Sequence, residues 1–116
     1  MEIKAKVSID DCDLHIELPD GTVVKRTFAS AIEKFVCMFD RYCVVLSGND
    51  DEDTSKNLLC ISYSGELLWV SDAPSVEDSW SNVWVEGDVL KAFSWGCFNC
   101  DIDFESGKIR NCVFTK

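Results

Sequence analysis

Apolar and polar residues alternate through most of the chain in short runs broken by turn-forming residues. A period of two sends successive side chains to opposite faces of a strand, so the pattern predicts β-structure. The runs fall at 2–9, 13–18, 22–28, 35–39, 42–47, 57–63, 66–71, 83–86, 89–95, 99–104 and 108–115. Short turns join most of them, and no helix long enough for a parallel crossover intervenes, so the strands are expected to form an antiparallel meander. One segment reads two ways. TFASAIEKFVCMFDRY has apolar residues at 28, 32, 35, 36 and 39, with Ser30 and Glu33 spaced as a helical capping box. Strand is favoured over helix for 28–41, because FVCMFDRYCVVLS matches VWVEGDVLKAFS further on. Five apolar β-formers in a row also suit a strand buried on both faces.

The runs repeat in a larger unit. Gly21 in LPDGTVV, Gly65 in SYSGELL and Gly107 in FESGKIR each stand between two strand-like segments. Their intervals fall in the range of about 40–45 residues that a four-stranded propeller blade occupies. The units span roughly 1–28, 32–71 and 80–116, within one β domain covering 1–116. The stretches CISYSGELLW and CDIDFESGKI resemble the outer hairpin of quinoprotein-type β-propeller repeats, and GELLWVS in particular resembles their blade signature. The likeness covers the second and third units well and the first weakly. The chain is similar also to small bacterial proteins built from such repeats, some of them at toxin-immunity loci. What the resemblance implies is a fold, since propellers host many unrelated functions. Complete propellers have four or more blades. Three propeller-blade-like units leave an open propeller-like arc, a sandwich, a squat barrel, or a ring completed by a second copy as a homo-oligomer. Edge strands are then expected at both ends, and Lys4 and Lys6 suit an edge protected by charge.

Charge narrows the partners. Twenty-one Asp and Glu against 11 Lys and Arg give a formal charge of -10. That excludes binding nucleic acid through its phosphates and favours encounter with a basic protein. No apolar run approaches the ~18 residues of a membrane span, and MEIKAKVSID lacks the features of a signal peptide, so a cytoplasmic location is expected. In that compartment the seven cysteines are expected to be mainly reduced, several of them buried as small apolar residues. Cys97 and Cys100 form a C-x2-C pair, but Cys112 is distant and His15 is the lone histidine, short of a structural zinc set. Neither metal nor cofactor is expected.

Two loops carry the candidate site. SGNDDEDTSKN (47–57) presents Asp50, Asp51, Glu52 and Asp53 as an acidic finger. Its one-three-five acid spacing fails as a calcium loop, because Thr54 and Cys60 stand where glycine and glutamate are required. SDAPSVEDSWSN (71–82) adds Asp72, Glu77, Asp78 and Trp80; the tryptophan suits an interface anchor or, equally, an inward seal between sheets. Asp101, Asp103 and Glu105 alternate beside a hairpin glycine, which turn chemistry accounts for. His15 is expected at the surface. No nucleophile-base pair, phosphate loop or serine elbow is present, so enzymatic activity is not expected. The expected function is a small acidic cytosolic binding protein of bacterial type, such as an immunity protein neutralising a toxin nuclease; a self-associating structural or scaffolding module is the alternative.

Overall fold

The computed structural model describes residues 6–28, 30–38, 41–47, 56–75 and 77–115. It is all-β, with three antiparallel meander sheets and no closed barrel. The first sheet is β1 (Lys6–Asp10), β2 (Asp13–Glu17) and β3 (Val23–Thr27). The second is β4 (Ile32–Met38), β5 (Arg41–Leu46), β6 (Leu58–Ser62) and β7 (Leu67–Ser71). The third is β8 (Trp80–Glu86), β9 (Val89–Ser94), β10 (Phe98–Ile102) and β11 (Ile109–Phe114). Within each sheet the strands lie in chain order, so every pairing is a local hairpin. Segment 32–38 is strand, as the match to the third unit required.

The second sheet is the middle layer. On β5, Tyr42 and Val44 pack with Leu14 and Ile16 of the first sheet, together with Ile61 and Phe28. Cys43 and Val45 point the other way, into a cluster with Leu90, Ala92 and Cys100 of the third sheet. Both faces of β5 are therefore buried, and its unbroken apolar run YCVVL follows from that. This corrects the expectation for FVCMF. The edge strand β4 leaves Phe35 43% exposed and Cys37 exposed, because only β5 flanks it within its sheet. The buried thiols of Cys43 and Cys60 are cross-strand neighbours. Their mutual contact, with burial, pushes the Cys43 thiol far up and leaves it unreactive.

The expectation of mainly reduced cysteines meets one exception. Cys100 on β10 lies opposite Cys112 on β11, and the two form a disulfide. The register brings them together with Cα atoms 4.2 Å apart, so the partner of Cys100 is the distant cysteine, not Cys97. Cys97 instead sits in the turn before β10 with φ of 70°.

The recurring glycines now have a physical reason. Each lies at a hairpin turn with positive φ, where a Cβ is strained. At two of them the preceding sheet also presses on the turn. A Cβ on Gly65 would lie 2.9 Å from Val24 Cγ1, and one on Gly107 would overlap the Trp69 ring. The same contacts carry a polar bolt. Arg26 Nη1 donates to the Gly65 carbonyl at 2.8 Å, and Trp69 Nε1 donates to the Phe104 carbonyl at 2.9 Å. A long side chain from the last strand of one sheet thus fastens the rim turn of the next. Gly21 belongs to the first sheet and has open space around it.

The two end faces mix charged and polar side chains with exposed apolar ones, Val23 on the first sheet and Val89 and Val113 on the third. The first sheet exposes Lys6, Ser8, Glu17 and Lys25, with Lys25 Nζ 3.7 Å from Asp13. On the far face of the third sheet Lys91 Nζ meets Asp101 at 2.6 Å, across β9 and β10 at the register that Cys43 and Cys60 occupy on β5 and β6.

The two glycine environments predict different costs. Gly21→Ala should lose about 1 kcal/mol, from backbone strain alone. Gly107→Ala should lose about 2–4 kcal/mol, since overlap with Trp69 adds an overpacking penalty. Urea denaturation of the two variants measures the difference, and equal losses would contradict the packing role of Gly107.

Candidate functional site

The site lies where the middle and third sheets meet along β4 and β8. Asn57, just before β6, holds the junction closed. Its Nδ2 donates to the Leu46 carbonyl at 2.8 Å and the Trp80 carbonyl at 2.7 Å, and its Oδ1 accepts from the Trp80 N–H at 2.8 Å. Asn57 is 6% exposed, so all three bonds form away from water. The Leu46 N–H donates to the Asn57 carbonyl at 2.9 Å, and that of Ser47 to Ala31 at 2.8 Å. The described residues that bracket the acidic segment are therefore fixed on both sides.

The segment joining β7 to β8 turns half of its candidate residues inward. Trp80 is 1% exposed, and its Nε1 donates to the Ser71 carbonyl at 3.2 Å. Asp78 is buried too, its Oδ1 accepting from the N–H groups of Ser79 and Gly96, each at 2.8 Å. Asp78 was expected to face a partner, and Trp80 either to anchor one or to seal the sheets from within. Here both build the junction, the indole because its apolar area fills the core and the carboxylate because it satisfies backbone donors of a tight turn. Asp72 and Glu77 remain exposed. Asp50, Asp51, Glu52 and Asp53 lie outside the described residues.

The turn that Asp78 holds carries a residue the sequence pattern hid. Trp95 is 74% exposed, though the period-two reading placed it at the end of a strand. Its N–H donates to the Ser79 carbonyl at 2.9 Å, and the Cys97 N–H donates to the Ser94 carbonyl at 3.0 Å. Gly96 sits so close to Asp78 that a Cβ there would fall 2.6 Å from Oδ2. The dipeptide Trp95-Gly96 directly after a strand was the available signal for a turn presenting an aromatic ring.

Trp95 borders a cavity of about 410 Å³, with Glu33 and Lys34 of β4, Ser47 after β5, and Trp80 and Ser81 of β8 on its walls. The pairing register slips between Ile32 and Lys34, and again between Trp80 and Asn82. Glu33 and Ser81 are thus bulge residues at equivalent places on two equivalent strands. A bulge re-aims the extra side chain, which is how both come to line the cavity. Ser81 Oγ donates to the Phe93 carbonyl at 3.0 Å. A second hollow of about 290 Å³ holds Asp72, with Val70, Ser106, Gly107 and Lys108.

The alternating carboxylates near the C-terminus have structural partners. Asp101 pairs with Lys91, and Asp103 Oδ1 accepts from the N–H groups of Glu105 at 2.9 Å and Ser106 at 3.3 Å. Among the described residues, no group of three or more His, Cys, Asp or Glu is placed to hold a metal ion. No described helix is long and apolar enough to cross a membrane.

Fold and site together define an all-β domain of three stacked sheets, with an acidic surface and a cavity at one sheet junction. Residues 4–114 match the model of a family described as a domain of unknown function, DUF7957, and the chain belongs to that family. No curated protein matches it.

Asn57→Asp tests the clamp. A carboxylate there faces the Leu46 and Trp80 carbonyls with no donor, so a loss of about 2–4 kcal/mol is expected at neutral pH. The new carboxyl would have its folded pKa raised above the unfolded value, so the penalty should shrink as pH falls through the folded pKa toward the unfolded one. Denaturant titration at pH 7 and pH 4 reads both effects; a pH-independent loss would show that the donors are not what matters.

Proposed function

We propose that this protein is a small acidic binding domain that docks a basic protein partner, and that its concrete form is an immunity-type inhibitor of a toxin nuclease. One observation carries the reading: the excess negative charge is uncompensated at the surface. Asp10, Asp11, Glu17, Asp20, Glu66 and Asp72 are exposed and form no ion pair among the described residues. Several cations are engaged internally, Lys91 by Asp101 and Glu86, Lys25 by Asp13, and Arg41 by Glu105. A field of one sign raises the encounter rate with a cationic surface and repels nucleic acid. Acidic side chains standing in for substrate phosphates would occupy the active surface of such a nuclease. The repeat's resemblance to proteins of toxin-immunity loci supports the same choice. No residue is assigned a catalytic role.

Co-expression with the product of the neighbouring gene, followed by co-purification at low and moderate salt, tests the pairing. A salt-weakened complex that restores growth supports it; a toxic neighbour that fails to bind removes it. Within a complex, neutralising Asp50, Asp51, Glu52 and Asp53 together should slow association roughly tenfold at low salt and flatten its salt dependence. Unchanged stopped-flow kinetics would take the segment out of the mechanism.

A self-associating scaffold is the second reading, and the rim strands favour it. The edge strand β7 exposes Leu67, Leu68 and Val70, and the edge strand β11 exposes Val113 and Phe114. Open edges with apolar side chains invite pairing with another chain. Light scattering at micromolar concentration should then give a dimer or larger species, and a monomer would dismiss this reading while leaving the first intact.

A further inference from the structure

We infer that the cavity between β4 and β8 is a binding site for a cationic side chain, arginine foremost, of the basic partner, with Trp95 as its anchor. This rests on the proposed acidic-docking function and gives that function a specific point of contact. A tryptophan 74% exposed forfeits most of the apolar burial that such a side chain can gain. Here the exposure is built in. The turn beneath Trp95 is fastened by Asp78 to Gly96, by Ser79 to Trp95 and by Ser94 to Cys97. A fourth bond, from the Phe98 N–H to Ser94 Oγ at 3.3 Å, completes it. The indole therefore stands on a rigid support, and a rigid aromatic at a cavity rim is the kind of residue that dominates binding energy.

The walls specify the guest. A bulge brings Glu33 to the cavity, and a second bulge brings Ser81, whose hydroxyl donates to the Phe93 carbonyl and keeps its oxygen as an acceptor. Carboxylate, hydroxyl and indole together match a guanidinium group, which pairs bidentately with a carboxylate and stacks on an aromatic face. At about 410 Å³ the cavity is in the range of sites that enclose a small group. The chain's formal charge of -10 raises the encounter rate with such a guest. Lys34 lines the same wall and sets a like charge beside an incoming cation.

The test uses the full chain and a nona-arginine peptide as probe, with affinity measured by titration calorimetry and the contact site by amide and indole chemical shifts. Trp95→Ala leaves the charge unchanged and should weaken binding about tenfold, through loss of stacking. Glu33→Gln should weaken it as well. Lys34→Ala should strengthen binding more than Lys108→Ala, which alters the net charge equally at a different surface. Peptide binding that is indifferent to Trp95→Ala, with shifts spread over the exposed carboxylates, would overturn the site and leave the acidic-docking reading standing. No binding by the native chain at low salt would overturn both.

Discussion

The structure depends on one constraint: its middle sheet must be covered on both faces. The strand YCVVL cannot face water on either side, since Tyr42 and Val44 point one way and Cys43 and Val45 the other. Burial of these residues and their neighbours on β6 is the main hydrophobic driving force for stacking a sheet on each side. The remaining features serve that stacking. Arg26 and Trp69 fasten successive rim turns, and Gly65 and Gly107 are glycine because those turns take positive φ beneath a neighbouring sheet.

Strand positions were legible in the sequence because a period of two and turn glycines are local signals. All eleven apolar runs became strands, and Gly21, Gly65 and Gly107 fell at hairpin turns. Depth was not legible. FVCMF and YCVVL read alike, yet one is an edge strand and the other the core of the stack, a difference set by sheet order and not by composition. The Cys100–Cys112 bond needed the β10–β11 register before the nearer Cys97 could be set aside. The site divided in the same way. Exposure of Asp72 and Glu77 followed from their loop, whereas Asp78 and Trp80 turned inward because backbone donors and apolar area called for them.

The sheet junction concentrates features that a plain stack of hairpins would lack. Two bulges, a buried asparagine clamp and a tightly bonded turn converge within one seam. Each departs from regular ladder geometry, and such departures persist where the surroundings hold them in place. Asn57 serves both purposes, closing the hydrophobic seam from within and fixing one base of the acidic segment.

The ion pair on the third sheet has a further meaning. Lys91 and Asp101 stand at the positions that Cys43 and Cys60 occupy one layer earlier, where small thiols let the next sheet settle on top. A fourth layer laid over the charged pair would strip its water at a cost of several kcal/mol per ion. The same register is thus apolar where a sheet is covered, as at Cys43 and Cys60, and charged where it is not. Repeat proteins terminate their arrays by the same logic, with a polar outer face on the last unit. The charged pair therefore disfavours a further sheet at that register, while the rim strands keep Leu67, Leu68 and Val70 exposed.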